Sequence, residues 1–482
     1  MYTLQQIDLQ IAIFSGGLFV LIAVVVKRIT NGPTAILTLF MSFFFIQYFL
    51  SIVIAFGAGY WVSFVMIPEK ITYSLYFALY CGSAIVGGYF AATIQEKNSN
   101  TIRSPIAQFR DRMGVTRSRK GEGSPQKHLR NAIALSSATL LLLFLEALWT
   151  EGDLSAVFES NLPRGHGQFE VRSEIDKILE VLFALTSLIG LLGALFVGRA
   201  LATLSSSSML AYAPLSIFLL LICAAPLMHS FSRASGAAFI FGAISLAVYR
   251  RRGILSFIVL SLFALTGVYL SIIGITQRSV ANMGVTSFLL SAIKPDWSTL
   301  EGFIFSTESA GPLAPSANLL DALGPLSASI HFSGVYDAGP IAGLIWLLGI
   351  LQPLPSLFLE FELRPGARLS KALGTFGSTG ITTPALAELH YLMGYWAAFP
   401  LLAYGAFLRK VDRISRFGGR LPLIILMLTL AGIVIGGHSG IRAFARPTII
   451  ALIIYIFAGK LYKLGRLRLD LRLRTISEQL HS

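Results

Sequence analysis

Arginines and histidines recur where apolar stretches of this chain begin or end. Arg233 follows His229 by four residues, Arg278 lies just past an apolar run, and Arg364 and Arg368 are four apart. Arg442 and Arg446 repeat that spacing, with His438 four residues before Arg442. Positions four apart share one face of a helix. A guanidinium keeps its charge and grips phosphate oxygens through two parallel N–H bonds, so several arginines round one cavity suit a diphosphate. The plain alternative is that each arginine snorkels to water along its apolar stem or ties a local carboxylate. Glu388 and His390 open a further apolar run, TTPALAELHYLMGYW. A carboxylate or an imidazole at a cavity near membrane depth is suited to general-base work; Glu388 is equally suited to a structural tie with an arginine.

Weaker candidates accompany these. Glu146 is an acid inside an apolar run, where charge is a functional hypothesis by default. His331 and Asp337 in HFSGVYDAG read as loop structure. Trp346, Tyr391 and Trp396 stand where a sugar ring can stack, although the aromatics, mostly Phe, read as core and lipid-facing. The sequence contains no GxxxxGK[ST], HExxH, CxxC or Rossmann GxGxxG, which argues against ATP-driven transport. It contains no Asp-x-Asp pair either; Glu151-Gly152-Asp153 and Glu360-Phe361-Glu362 are the nearest approaches, so a nucleotide-sugar donor and metal catalysis are disfavoured.

The elements that must position these groups are membrane helices. Of 482 residues 55% are hydrophobic and only 13% charged, against about 25% charged in a soluble domain, and the mean hydropathy is +0.71. The net charge of +14 sits in links between apolar runs, the positive-inside pattern of a multi-pass protein, so it does not point to nucleic acid. Cys81 and Cys223 fall inside apolar runs and read as small apolar fillers. The start, MYTLQQIDLQ, lacks a basic region and a small-residue cleavage site, so the first run reads as a retained span.

A span needs about 20 mostly apolar residues. The runs lie at about 9–26, 33–56, 71–94, 131–149, 178–197, 208–228, 233–250, 253–275, 389–407, 421–436 and 447–462. The stretch 95–130 carries nine bases against three acids and is read as a cytoplasmic loop; six acids against three bases follow Trp149. With about 11 transmembrane helices, the basic clusters at Lys27, 97–130, Arg199, 250–252, 409–420 and the tail 463–482 all fall on one side. The N-terminus is then outside and the C-terminus cytoplasmic. The division expected is 1–275 with eight spans, one large outer loop 276–387, and 388–462 with three. Within the loop, 339–359 is apolar but holds Pro353 and Pro355, and counting it as a span would misplace the cluster at 409–420. It reads as an interfacial helix.

Together these features resemble a known family. Ser232-Arg233-x-x-Gly236 at the start of a span is similar to the SRxxG-type signature of O-antigen polymerases (Wzy-type) and their ligase relatives. Arg364-Pro365 after a proline-bearing interfacial run, then Thr383-Pro384-x-x-x-Glu388 before a span, resemble the outer loop of oligosaccharide repeat unit polymerases. The resemblance covers the architecture of most of the chain, with sharp residues only at about 229–240, 350–396 and 438–447. It implies an all-α polytopic, GT-C-like glycosyltransferase of the bacterial inner membrane, active at the periplasmic face. Its substrate would be an undecaprenyl-diphosphate-linked oligosaccharide, polymerised into O-antigen or a related surface polysaccharide of the lipopolysaccharide pathway. Arg233, Arg278, Arg364, Arg368, Arg442 and Arg446 would hold diphosphate. Glu388, His390 or His438 would deprotonate the acceptor hydroxyl. No metal or other cofactor is implied; a chain-length regulator in the membrane is an implied partner. Two alternatives stay open: an O-antigen ligase, and a flippase or transporter of lipid-linked oligosaccharide. A transporter would need a charged path through the spans.

Overall fold

Apolar side chains at helical spacing shape the molecule. In the helix Pro68–Ser99, the buried positions Ile71, Leu75, Ala78, Cys81, Ile85 and Tyr89 recur every three or four residues, the stripe of a helix with one packed face. Ala398, Leu401, Tyr404, Leu408 and Val411 do the same in Ala398–Ile414. The computed structural model describes residues 6–30, 35–50, 68–99, 125–151, 153–159, 174–229, 234–249, 254–276, 284–295, 322–332, 384–415, 420–434, 444–445 and 447–457.

All regular elements among the described residues are helical. In order they are α1 Gln6–Thr30, α2 Ala35–Phe45 continuing as a π-helical turn Ile46–Leu50, α3 Pro68–Ser99 and α4 Pro125–Glu151. Then come α5 Glu174–Thr203, α6 Ser206–His229, α7 Ala237–Tyr249, α8 Ile254–Thr276, α9 Val285–Ile293 and α10 Leu323–Phe332. The last are α11 Ala385–Met393, a 3₁₀ turn Gly394–Ala397, α12 Ala398–Ile414, α13 Arg420–Val434 and α14 Pro447–Phe457. Among the described residues seven helical segments are long and apolar enough to cross a membrane: those in α1, α3, α4, α5, α6 and α8, and the continuous stretch Ala385–Ile414. The apolar helices in α2, α7, α13 and α14 are shorter. The protein is therefore an all-α membrane protein whose solvent is a lipid bilayer.

Contacts sort the helix ends into two groups. α3 and the α11–α12 stretch run parallel: Tyr73 meets His390 near their starts and Glu96 meets Arg409 near their ends. They cross where Gly88 faces the Leu402 carbonyl and Gly405 faces the Ile85 carbonyl, with no room for a Cβ at either glycine. Small residues that let backbones touch are the usual glue between membrane helices. α4 and α5 run antiparallel, with His128 by Phe196 and Thr139 by Gly190. Glu96, His128, Arg199, Tyr249, Arg409 and Ile36 thus lie toward one end of the bundle, called the basic end below. Gln47, Tyr73, Ser235, Ala292, Ala322 and His390 lie toward the other.

Several expected boundaries move. Residues 95–99 and 125–130, read as loop, are the ends of α3 and α4, because helical hydrogen bonding carries on beyond the apolar run. The span read at 389–407 starts at Ala385, where Pro384 stands in extended conformation as N-cap, and it reaches Ile414 through the 3₁₀ turn. Within 276–387, α9 and α10 are short helices. The expected interfacial helix 339–359 and the tail 463–482 lie outside the described residues.

Candidate functional site

The polar side chains that the fold brings together form two groups, one at each end. At the end away from the basic clusters, α11 carries Glu388 and His390. Pro384 accepts from the N–H groups of Ala387 and Glu388 and starts the helix. Gly394 stops it with φ +52, a conformation that favours glycine, and its N–H bonds the His390 carbonyl. This break turns one long span into a nine-residue segment followed by α12. Broken helices at membrane depth occur where protein or a cavity satisfies the freed backbone groups.

His390 is 2% exposed. Its ring stands edge-on to Phe77 at 4.8 Å and to Tyr73 at 5.7 Å, with interplanar angles of 89° and 87°. Its Nε2 lies 3.2 Å from the Tyr73 hydroxyl. Its Nδ1 is buried and meets no hydrogen-bond partner. Around this pair, Tyr395 packs against Tyr73 and Phe77, and the Tyr80 hydroxyl donates to the Tyr395 carbonyl at 3.1 Å. Glu388 is half-buried two residues away. The neighbouring α10 packs against α3 and α11, and its start is tied down by the Ala322 N–H, which donates to the Gln47 carbonyl at 3.0 Å. That carbonyl belongs to the π turn, where the widened backbone frees acceptors. An apolar crevice lies on another side of α11, lined by Phe40, Phe44, Tyr48, Leu389 and Phe444 with Gln47 as its polar member.

At the basic end stands a network that the sequence did not announce. Asp412 is fully buried and accepts from the N–H of Ile36 at 2.9 Å, the N–H of Leu37 at 3.4 Å and the Tyr89 hydroxyl at 2.8 Å. A carboxylate over the first N–H groups of α2 satisfies orphan donors and faces the positive end of the helix dipole. Arg409 Nη1 donates to the Tyr89 hydroxyl at 3.4 Å, and Arg409 and Arg413 both pair with Glu96, at 3.2 and 3.4 Å. The Tyr249 hydroxyl donates to the Ser415 carbonyl at 2.7 Å, and Arg199 lies 4.8 Å over the Tyr249 ring. Arg199, Arg409 and Arg413 are therefore structural ties as well as markers of charge distribution. His128, in the first turns of α4, is 5% exposed and stacks on Phe196; neither ring nitrogen meets a hydrogen-bond partner.

The other sequence candidates divide as follows. Arg233, Arg278, Arg364, Arg368, Arg442, Arg446, His438, Asp337 and Trp346 lie outside the described residues. Their neighbours are informative at one place. Ser235 donates to the Leu227 carbonyl at 3.0 Å, and Gly236 lies against the Gly267 backbone with no space for a Cβ. A glycine at 236 is thus required where the start of α7 meets α8. His331 is exposed on the last turn of α10, and Glu146 is half-buried on α4. Trp396 is exposed and stacks on Phe399. Cys81 and Cys223 are buried free thiols, as their setting implied. Asp153 accepts from the hydroxyl and the N–H of Ser155, and the hydroxyl above all holds its carboxyl below the usual range; it shapes the turn before the short helix Ala156–Glu159. Among the described residues no group of three or more His, Cys, Asp or Glu is placed to hold a metal ion.

Tyr73, Tyr89 and Asp412 are the site residues that sequence reasoning missed. Asp412 is an acid inside a basic cluster, which was the one available hint; Tyr73 gave none. Comparison with protein-family models, with curated protein sequences and with solved structures gives no match to this chain.

Proposed function

We propose that the protein is a membrane glycosyltransferase that polymerises undecaprenyl-diphosphate-linked oligosaccharide units at the periplasmic face of a bacterial inner membrane. The observation that carries this reading is the position of His390 and Glu388. They lie on a broken span at the end of the bundle opposite the basic clusters of Arg199, Arg409 and Arg413. By the positive-inside bias the basic end is cytoplasmic, so the α11 end is periplasmic, where lipid-linked units are joined. About 11 spans then cross the bilayer, including the shorter helices α2, α7, α13 and α14. The outer arginines, Arg233, Arg278, Arg364, Arg368, Arg442 and Arg446, hold the diphosphates and stabilise the charge that develops on the leaving group. A base on α11 takes the proton of the acceptor hydroxyl.

Polymerisation is favoured over transport because the ionic groups among the described residues stand at the helix ends rather than along a path through the core. The test is purified protein in liposomes with lipid-linked repeat unit, comparing wild type with Arg233→Ala, Arg442→Ala and Glu388→Gln. A ladder of polymer from wild type, lost or weakened in the variants while each still folds, is the expected result. Lipid-linked sugar crossing the bilayer without a ladder would replace this reading with the transporter. A single transfer onto a lipid A-core acceptor would replace it with the ligase.

A further inference from the structure

We infer that Tyr73 is the positioning residue of a histidine base: it holds His390 in the tautomer whose proton is on Nε2 and leaves the Nδ1 lone pair bare. The catalytic half of this inference rests on the transferase reading above; the tautomer does not.

The tautomer follows from the two nitrogens. A neutral imidazole has one N–H and one lone pair. Nε2 faces the Tyr73 hydroxyl at 3.2 Å, and Nδ1 is buried without a partner. Orphaned N–H donors are rarer in buried sites than under-used acceptors, so the proton belongs on Nε2, donated to the Tyr73 oxygen. The Tyr73 hydroxyl is the acceptor of that bond, and its ring is held edge-on to Tyr395. The rings of Phe77 and Tyr73 stand perpendicular to the imidazole and fix its plane. This is the arrangement of an oriented base, a ring held at one nitrogen by a third group with the other nitrogen uncommitted. Glu388, two residues away on the same helix, lies about 200° round the helix from His390, so the two cannot serve one proton in the same geometry.

Exposure of Nδ1 to a substrate falls to α11 itself. The segment is short, its junction with α12 is the Gly394 break, and a Cβ at Gly394 would meet nothing within 4 Å. α10 packs on both α3 and α11 and lies within 276–387, the segment that faces the substrate on the transferase reading. In the reaction, the acceptor hydroxyl gives its proton to His390 Nδ1 as its oxygen bonds to the anomeric carbon of the donor. The bond from that carbon to the diphosphate oxygen breaks, and its electron pair leaves with the lipid diphosphate. The imidazolium returns the proton to the diphosphate or to water, which balances the transfer. Tyr73 touches no reacting atom; it stabilises the imidazolium through Nε2–H.

The experiment uses full-length protein labelled with ¹⁵N-histidine in liposomes, with His390→Gln to identify the His390 signals. Wild type is expected to show a protonated Nε2 and a bare Nδ1. Tyr73→Phe, which keeps the ring packing, is expected to redistribute the proton between the two nitrogens. On lipid-linked repeat unit, Tyr73→Phe should lower kcat by about tenfold with KM unchanged, and His390→Gln by about a hundredfold. Tyr212→Phe, which removes an exposed hydroxyl on α6 outside this aromatic group, should change neither. A proton on Nδ1 in wild type overturns the tautomer. A normal kcat in Tyr73→Phe, with wild type active, overturns the positioning role and leaves the transferase reading standing. A wild type that makes no polymer overturns the transferase reading and the catalytic role with it, while the nitrogen spectrum still decides the tautomer.

Discussion

His128 and His390 are buried at opposite ends of the same bundle, and they differ in one respect that matters. His390 has one nitrogen facing a tyrosine hydroxyl and its ring clamped between perpendicular aromatics. His128 stacks on Phe196 and has no hydrogen-bonding group that fixes either nitrogen. The surroundings differ in the same sense. At the His128 end the ionic side chains are used on one another and on backbone: Asp412 on α2, Glu96 on two arginines, Arg199 over Tyr249. At the His390 end one imidazole nitrogen faces a hydroxyl and the other, also buried, meets no partner. Burial is common to both histidines; an orienting partner on one nitrogen with none on the other sets His390 apart.

Breaking the basic end should damage folding most. Asp412→Ala leaves two α2 N–H groups and the Tyr89 hydroxyl without their acceptor, and is expected to cost about 3–5 kcal/mol, read as a lower unfolding midpoint in detergent. Asp412→Asn should lose less, since an amide oxygen still accepts. Breaking the other end should damage turnover instead: His390→Gln is expected to lose about a hundredfold in rate with an unfolding midpoint close to wild type. Gly405→Val forces a side chain into the Ile85 carbonyl on α3 and should cost about 1–3 kcal/mol by overpacking, with any loss of rate following the loss of folded protein. The smallest effect sharpens the comparison from its other side. His128→Phe replaces a buried group without partners by an apolar ring against Phe196, so it should stabilise the protein by about 1 kcal/mol and leave the rate per folded molecule unchanged.

Much of the helix layout was legible before any coordinates, and the reason is simple. Membrane helices bury apolar runs of about fixed length, so the runs read from the sequence overlap helices among the described residues, and Arg199, Arg409 and Arg413 share one end. Proline and glycine also spoke locally, as at Pro384, where α11 starts. The break at Gly394 and the π turn at Ile46–Leu50 were not legible, because both interrupt apolar sequence whose composition suits an unbroken helix. The polar groups were least legible. Asp412 finds its partner 376 residues away at Ile36, and Tyr73 meets His390 across 317. Those pairings exist only once parallel packing of α3 with α11–α12 has set the register. His390 was a candidate from its place at a span mouth, but nothing in its sequence neighbourhood named the tyrosine that orients it.

The two ends can also be told apart from outside the cell. Cys81 and Cys223 are buried, so single cysteines can be added to the native chain. His331→Cys should react with an impermeant thiol reagent in intact cells, and Lys410→Cys should react only after the membrane is opened. The reverse pattern would turn the assignment of faces over.

The most direct test of the whole account measures stability and transferase rate on the same liposome preparations of His390→Gln and Asp412→Asn. The account predicts opposite losses: His390→Gln keeps its unfolding midpoint and loses turnover, while Asp412→Asn loses midpoint and keeps turnover per folded molecule. Equal turnover in His390→Gln and wild type, or a rate lost in Asp412→Asn beyond its loss of folded protein, would contradict the division of labour between the two ends.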